Sequence, residues 1–238
     1  LIVQYPNFFG YLEDLASLSK LAHDAGALLI VSVNPTAMAL FRPPGEYGAD
    51  IVTAEGQPLG IPTSYGGPYV GLFGTRQEFV RQMPGRLVGK TVDSQGRTGY
   101  VLTLSTREQH IRRQRATSNI CTNQALMSLA ATVYLAVLGK HGLRQLAELC
   151  YHKAHYAASM IAGIPGYSMA MGGTFFQEFV IQCPTSPKEI NEALLEKGIV
   201  GGLDISSHIP NGMILCVTEM KSCRHSSTSG LFQDLNSV

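Results

Sequence analysis

The chain has little charge and no tryptophan. Only 15% of its 238 residues are Asp, Glu, Lys or Arg, and the formal net charge is +1. A near-neutral chain of this kind lacks the broad basic surface that binds nucleic acid, so no nucleic-acid partner is expected. No uninterrupted apolar run reaches the ~20 residues that span a bilayer, and no charged-then-apolar leader is present. We therefore predict no membrane partner and a cytoplasmic protein.

Paired cysteines are also lacking. The chain has five, and they lie far apart in the sequence, at Cys121, Cys150, Cys183, Cys216 and Cys223. There is no CxxC pair and no histidine at metal-ligand spacing, which argues against a disulfide framework and against a structural zinc site. We interpret the cysteines as reduced thiols and predict no metal.

The first third of the sequence has the pattern of an α/β domain. Residues 1–5 look like a strand, residues 11–25 carry leucines at helical spacing, and residues 27–33 form a continuous apolar run typical of a strand covered on both faces. Strand, helix and strand together predict a right-handed βαβ unit.

Two further strands are predicted at residues 49–53 and 69–73, with a hairpin near Gly96. Ligands of open α/β sheets bind outside the carboxyl ends of the strands, so a site is expected in the loops at residues 34–47 and 56–68.

Helices and a small α+β unit complete the chain. Helices are predicted at residues 122–138 and 143–161, followed by strands near residues 167–171, 175–182 and 213–218 and a helix at residues 187–197. For that last helix, Ser186 is the expected cap, Glu189 completes a capping box, and Gly198 ends it.

These patterns divide the chain into three parts. Residues 1–140 are predicted to form the C-terminal part of a large α/β domain, residues 141–220 a small α+β domain with its connecting helix, and residues 221–238 an irregular serine-rich tail. The first residue is Leu1 within a strand-like run, so we expect a fragment whose sheet has an exposed edge.

The sequence REQHIRRQRATSNICTNQAL at residues 107–126 concentrates positive charge. Its arginines are Arg107, Arg112, Arg113 and Arg115. They can pair with acids of a neighbouring subunit, form a solvated helix face, or contact an anionic ligand. The polar turn that follows, Thr117, Ser118 and Asn119, either approaches a partner's active site through its backbone amides or caps the next helix.

Several long segments together resemble one enzyme family. They are QYPNFFG, AHDAGALLIVSVNP, PPGEYGADI, EGQPLG, SYGGPYVG, GRLVGKTVDSQGRTGYVLTLSTREQHIRR and ATSNICTNQAL. This wording resembles the glycine decarboxylase P-protein family, in the form of the α-type chain, or subunit 1, of two-subunit enzymes. The resemblance covers nearly all of residues 1–220. It implies a pyridoxal-phosphate-dependent transferase fold of the aspartate aminotransferase type I, with a partial large domain whose N-terminal portion is absent and a small α+β domain.

The resemblance also implies a reaction and partners. In this family glycine condenses with pyridoxal 5'-phosphate, loses its carboxyl group as carbon dioxide, and passes its aminomethyl group to the lipoyl arm of the H-protein. The cofactor acts as the electron sink. The expected partners are therefore glycine dehydrogenase subunit 2, the β-type chain, and the lipoyl H-protein.

Two cofactor positions of active relatives are degenerate in this chain. Where relatives carry the lysine that holds the cofactor as a Schiff base, this chain has Gln57 and Pro58, and the nearest lysines in sequence are Lys20 and Lys90. Where relatives carry a carboxylate against the pyridine nitrogen, this chain has Asn34.

We therefore predict no catalytic or cofactor-binding residue in this chain and expect the cofactor on the partner subunit. Contacts to the partner or its active site are expected from a set of polar residues: Arg107, Arg112, Arg115, Thr117, Ser118 and Asn119. The alternatives are a self-sufficient pyridoxal-phosphate enzyme of the cysteine desulfurase or aminotransferase type, and an inactive structural fragment.

Overall fold

The computed structural model describes residues 1–116 and 124–220 as an α/β arrangement with two four-stranded sheets and a separate hairpin. The strands are β1 (Ile2–Tyr5), β2 (Ile30–Val33), β3 (Ile51–Glu55), β4 (Gly71–Thr75), β5 (Leu87–Val92), β6 (Thr98–Thr103), β7 (Ser168–Met169), β8 (Glu178–Gln182), β9 (Leu203–Asp204) and β10 (Gly212–Cys216). The helices are α1 (Leu15–Asp24), α2 (Gln109–Arg112), α3 (Ala125–Ala162) and α4 (Pro187–Glu196).

The first sheet has the order β1-β2-β3-β4 and confirms the predicted βαβ unit. β1, β2 and β3 run parallel, and β4 pairs antiparallel with β3. α1 connects β1 to β2 and begins at Leu15, later than predicted, because the Asp14 side chain accepts a hydrogen bond from Ser17 N at 3.2 Å and caps the helix there. One face of this sheet packs against α1 through a core of Tyr5, Leu15, Ala22, Leu29, Val31 and Ala49.

The two helices predicted at residues 122–138 and 143–161 correspond to the two segments of α3, which meet at Gly139. Gly139 has φ 61° and ψ −177° and breaks the helix without a loop. The segment before the break packs Met127, Ala131 and Tyr134 against Leu59 and its neighbours. The segment after the break packs against the second sheet and against the 3-10 turn that follows β2. A single interrupted helix therefore connects both sheets.

Among the described residues, α3 is long and apolar enough to span a membrane by length and composition alone. The Gly139 break divides it, however. Residues 125–138 rise about 21 Å at roughly 1.5 Å per residue, less than the ~30 Å hydrocarbon core of a bilayer. The segment after the break carries Lys140, Arg144, Glu148 and Lys153. Neither segment has the properties of a spanning helix.

The second sheet has the order β7-β8-β10-β9, is antiparallel throughout, and is accompanied by α4. The predicted cap of α4 is wrong in its mechanism. Ser186 makes no side-chain capping hydrogen bond, and it is its carbonyl oxygen that accepts from Ile190 N at 3.2 Å. Gly198, at φ 75°, follows the helix in the left-handed conformation, as predicted for a terminator.

Residues 7–12 join the two sheets. Tyr11 forms an isolated antiparallel bridge with Phe175, and Leu12 N donates to Thr174 O at 2.9 Å. Gly10 lies so close to β8 that a Cβ at this position would stand 2.0 Å from the carbonyl oxygen of Glu178. This close approach brings the carboxyl ends of the parallel strands next to β8 and encloses a cavity there.

Candidate functional site

A cavity lies between the carboxyl ends of β1–β3 and the start of β8. Its volume is about 310 Å³. It is lined by Gln4, Pro6, Gly10, Ser32, Val33, Asn34, Pro35, Glu55, Gln57, Pro58, Phe176, Gln177 and Glu178. Both loops in which the sequence predicts a site contribute to this lining, and Asn34, Gln57 and Pro58 lie together in it.

Asn34 is held in one orientation by the turn that follows β2. Its Oδ1 accepts hydrogen bonds from Thr36 N at 3.0 Å and from Thr36 Oγ1 at 2.7 Å. A backbone N–H can only donate, so the atom facing Thr36 must be the oxygen, and the Nδ2 donor is the part of the amide left for other contacts. An N–H donor cannot receive the proton of a pyridinium ring.

Gln57 and Pro58 follow β3, and neither supplies an amine. Gln57 Nε2 donates to Ile61 O at 2.7 Å, and Gln57 N donates to Glu55 Oε1 at 3.1 Å, so the glutamine is engaged within its own loop. No lysine of the described residues lines the cavity. An aldehyde bound here would meet no primary amine with which to condense.

Among the described residues, the titratable side chains that line the cavity are two glutamates, Glu55, which is exposed, and Glu178, which is partly buried. Burial raises the pKa of Glu178 and so favours its neutral form. No arginine or lysine within residues 1–116 and 124–220 lines the cavity, and a phosphate monoester needs such cations or a cluster of backbone amides. The residues present therefore do not fit pyridoxal phosphate.

Sequence reasoning missed the contribution of the second sheet to this cavity. Phe176, Gln177 and Glu178 come from the segment that leads into β8, more than a hundred residues after the loops to which they are adjacent. The sequence signal that could have indicated it was the polar pair Gln177 and Glu178 at the start of the apolar strand EFVIQ. Only the close approach of Gly10 to Glu178 shows where that pair lies.

Among the described side chains of the arginine cluster, Arg112, Arg113 and Arg115 do not line the cavity. Arg112 ends α2, and Arg113 and Arg115 follow in a 3-10 turn, all three exposed. Arg112 Nε donates to Thr106 O at 3.1 Å. Within residues 1–116 and 124–220, no ion pair joins Arg112, Arg113 or Arg115 to a carboxylate.

The other residues of that stretch are less informative. The backbone of Arg107 ends a 3-10 turn that begins at Ser105. Thr117, Ser118 and Asn119 lie outside the described residues, and so does Cys121. Their predicted roles therefore stay predictions.

Asp50 is the centre of an ionic cluster just before β3, at the amino ends of the parallel strands and therefore opposite the cavity. Asp50 accepts from Leu29 N at 2.8 Å, lies 2.9 Å from His23 Nε2 and forms an ion pair with Arg76 at 3.0 Å. Burial alone raises the pKa of Asp50, but these donors outweigh it and lower the pKa below its usual value. In the described part of the chain, no group of three His, Cys, Asp or Glu side chains could hold a metal ion.

Sequence comparison shows that this chain is similar to one family. The family described as the glycine cleavage system P-protein matches residues 1–231. A protein of Thermomicrobium roseum named probable glycine dehydrogenase (decarboxylating) subunit 1 is 60% identical over 223 residues, which is 92% of this chain and 50% of the relative. A protein of Desulforamulus reducens with the same name is 53% identical over 226 residues, 94% of this chain and 51% of the relative. The chain thus spans about half the length of the curated relatives it matches.

Solved structures show the same likeness. A crystal structure of glycine decarboxylase (P-protein) of the glycine cleavage system, in inhibitor-bound form, superposes with a TM-score of 0.90 at 40% identity and covers 99% of this chain and 54% of that chain. The cysteine desulfurase CsdA of Escherichia coli superposes with a TM-score of 0.63 at 16% identity over 100% of this chain and 58% of that chain. At that identity the likeness concerns the fold, which is the fold type I of pyridoxal-phosphate-dependent enzymes, as predicted.

Proposed function

The chain belongs to the glycine cleavage system P-protein family, and we propose that it acts as one subunit of a two-subunit glycine dehydrogenase (aminomethyl-transferring). In the proposed reaction glycine loses its carboxyl group as carbon dioxide, and its aminomethyl group passes to the lipoyl arm of the H-protein. The observation that carries this proposal is the 60% identity to a relative named subunit 1, extending over 92% of the chain. The site of action is the cytoplasm.

The companion subunit, subunit 2, supplies the cofactor and its lysine. Pyridoxal phosphate provides the electron sink for decarboxylation wherever it is bound. The cavity of this chain supports placement of the cofactor on the companion. Pro58 and Gln57 offer no amine, the Nδ2 donor of Asn34 points away from Thr36, and no arginine or lysine among the described lining residues would pair with a phosphate.

This chain contributes a contact surface to that assembly. Exposed arginines without carboxylate partners in the described residues suit acidic side chains of a companion, and Arg112 and Arg115 are the residues we assign to this contact. Arg107 and the turn of Thr117, Ser118 and Asn119 complete the proposed contact, with the turn nearest the companion's active site.

The exposed side of α3 supports the same interface. Before the Gly139 break, Leu126, Leu129, Val133 and Val137 form an apolar stripe at helical spacing on the side away from Leu59. No charged residue interrupts residues 125–138. An exposed apolar stripe of this kind has the composition of a subunit contact.

The alternatives named from the sequence receive no support. A self-sufficient pyridoxal-phosphate enzyme of the cysteine desulfurase or aminotransferase type needs a lysine in the cavity, and in the part of the chain that the structure describes none lines it. An inactive structural fragment predicts no activity in any assembly, which the experiment below tests directly.

Borohydride trapping locates the cofactor. The chain is mixed with pyridoxal phosphate with and without subunit 2 of the Thermomicrobium roseum enzyme, reduced, and digested for mass spectrometry. We expect the label on a lysine of subunit 2 alone, and glycine-dependent exchange of carbon dioxide only when both chains are present. A label on a lysine of this chain contradicts the proposal, and absence of exchange in the mixture supports the inactive fragment.

Charge and shape at the proposed contact are tested with matched variants. Val133→Glu places a charge on the apolar stripe, and Arg115→Glu reverses a charge; each is expected to weaken binding of subunit 2 by about tenfold or more. Leu195→Glu, on the similarly exposed side of α4 (64% exposed against 54% for Val133), is the control and is expected to leave binding unchanged. Unchanged binding of both interface variants contradicts this contact.

A further inference from the structure

The loop between β3 and β4 has an unusual tip, formed by residues 63–68. Ser64, Tyr65, Gly66 and Gly67 have φ angles of 41°, 55°, 115° and 127°, so four consecutive residues adopt a positive φ. Glycine takes this conformation readily, but Ser64 and Tyr65 carry a Cβ and take it only with strain. Strain of this kind persists where surrounding contacts hold it, and it is concentrated at functional sites. We call residues 63–68 the tyrosine tip.

Hydrogen bonds within the tyrosine tip hold its conformation. The carbonyl oxygen of Thr63 accepts from Gly66 N at 2.9 Å and from Gly67 N at 3.3 Å. The same oxygen accepts from the Tyr69 hydroxyl at 2.6 Å. A Cβ placed on Gly66 would meet no atom within 4 Å. The backbone of the tip is therefore fixed by its own contacts and at the same time open to a neighbouring molecule.

The base of this loop is packed against α3. Leu59 and Ile61 are buried in one cluster with Ala131. Gly60 lies so close to the helix that a Cβ there would stand 2.5 Å from the ring of Tyr134. The tyrosine tip is thus attached to a helix through an apolar base, which limits its movement.

The side chain of Tyr65 projects from the tip into solvent. Its relative exposure is 111%, the highest among the large hydrophobic side chains of the described residues. Burial of the ring within residues 1–116 and 124–220 therefore does not offset the strain of its backbone. A ring that is held in place and left unburied has the properties of a binding anchor. Tyrosines are enriched among the residues that dominate interface affinity, and a pre-organised loop loses little conformational entropy on binding.

The position of the tyrosine tip indicates which molecule receives Tyr65. By the family resemblance, the absent part of the large domain precedes Leu1 and β1, and β1 is the edge strand farthest from β4. The tip follows β3, next to the other edge. Its base contacts Tyr134, which is a neighbour of Val137 in the apolar stripe of α3, since the two are three positions apart on the helix. The tip is therefore continuous with the surface that we assign to subunit 2.

We propose that Tyr65 is the anchor residue with which this chain binds subunit 2. Its ring enters an apolar pocket of the companion whose rim carries an acceptor for the phenol hydroxyl, because a tyrosine has an apolar body and a polar end. The inference rests on the proposed function, which supplies the companion. The apolar stripe forms the broad part of the contact, and Tyr65 is the residue on which its affinity mainly depends.

A single tryptophan reports on this contact, because the chain contains none. Tyr65→Trp keeps a large aromatic ring on the tip. In the chain alone its emission is expected to match that of a fully solvated indole. Addition of subunit 2 of the Thermomicrobium roseum enzyme is expected to shift the emission to shorter wavelength, after subtraction of the spectrum of subunit 2 mixed with the native chain. Leu195→Trp, on α4 at 64% exposure, is the control and is expected to keep the solvated spectrum.

Removal of the ring measures how much affinity depends on it. Tyr65→Ala is expected to weaken binding of subunit 2 at least tenfold, whereas Tyr65→Phe keeps the ring and is expected to weaken it less. The side chain is solvated in the chain alone, so both variants are expected to unfold at the same temperature as the native chain. A Tyr65→Ala variant that binds subunit 2 as tightly as the native chain overturns the inference.

Two further outcomes count against the inference. An emission shift that depends on the concentration of the Tyr65→Trp chain alone assigns the ring to a second copy, and no shift in the complex leaves the ring in solvent. Binding of the native chain to subunit 2 is measured first. Absence of that binding contradicts the proposed function, whereas native binding with unaffected Tyr65 variants contradicts this inference alone.

Discussion

At the scale of single residues, Asp50 is the side chain on which most polar contacts converge. It is almost fully buried and joins α1, β2 and the segment after β4 through His23, Leu29 N and Arg76. Replacing it by Asn removes the buried charge that pairs with His23 and Arg76, and because both of these side chains are more than a third exposed, the free energy of unfolding is expected to fall by about 1–2 kcal/mol. Urea denaturation followed by circular dichroism measures this, with Asp24→Asn, an exposed acid paired with Lys20, as a control that changes little.

The same residue gives a pH dependence with a defined sign. The folded-state pKa of Asp50 is lowered, so its contribution is fully present above the unfolded-state pKa of roughly 3.9 and is lost as the pH falls further. The unfolding free energy of the native chain should therefore drop more steeply below about pH 4 than that of Asp50→Asn. Parallel slopes for the two proteins would show that Asp50 does not control acid stability.

The cysteines provide a second residue-scale prediction. Burial, with the Glu219 carboxylate nearby, raises the pKa of Cys150 to about 11, and burial with Asp204 nearby raises that of Cys183 to about 11. Both are therefore protonated and enclosed at neutral pH, while Cys216 is exposed. Iodoacetamide at about pH 8 should label Cys216 in the folded chain and spare Cys150 and Cys183 until denaturant is added. Peptide mapping by mass spectrometry reads this out, and equal labelling of all three contradicts the burial.

At the scale of elements, the break in α3 depends on one glycine. Gly139 has a positive φ that a residue with a Cβ adopts only with strain, so Gly139→Ala is expected to lower the unfolding free energy by about 1–2 kcal/mol. Gly45→Ala is the opposite case, because Gly45 has an ordinary φ and open space around its Cβ position. That variant should gain about 0.4–1 kcal/mol. Thermal and urea denaturation compare the two, and equal signs would contradict the break at Gly139.

The elements also show what the sequence can and cannot predict. Alternation and apolar runs predicted the βαβ unit and the hairpin at Gly96, because these patterns are local. The strand at residues 27–33 begins only at Ile30, since an apolar run cannot show where pairing starts. Ser186 had the sequence of a cap, but whether a hydroxyl reaches a backbone amide depends on its rotamer, which the pattern does not contain.

Only part of the candidate site could be predicted from the sequence. Asn34, Gln57 and Pro58 could be placed at the carboxyl ends of adjacent parallel strands from the order of strands and loops alone. Glu178 and Phe176 could not, because their position depends on contacts across more than a hundred residues. That two glutamates line the cavity was therefore visible only in the folded chain.

At the scale of the whole molecule, the two sheets are linked through a small aromatic joint. Tyr11 is buried against Phe175 with ring centroids 5.7 Å apart, and its hydroxyl donates to Met171 O at 3.1 Å. Phe176 packs edge-on against Phe41, with ring centroids 5.8 Å apart. This aromatic joint, formed by Tyr11, Phe41, Phe175 and Phe176, therefore connects residues that are more than a hundred positions apart in the sequence.

This joint predicts cooperative unfolding. Tyr11→Ala removes a buried ring and a hydrogen bond and should cost about 3–5 kcal/mol. Hydrogen exchange followed by mass spectrometry should show faster exchange in residues 30–33 and in residues 178–182 together. Loss of protection in the second sheet alone would mean that the two sheets unfold as independent units.

The segment of α3 after Gly139 has a consequence for how this chain can vary in length. Each added or deleted residue turns the rest of a helix by about 100°. A one-residue insertion between Lys140 and Leu146 would rotate Ala147, Cys150 and Ala154 away from the surfaces that now bury them. The same insertion at the Gly96 turn displaces only solvent. Natural variants of this chain should therefore accumulate insertions at the hairpin tip and almost none in the second half of α3.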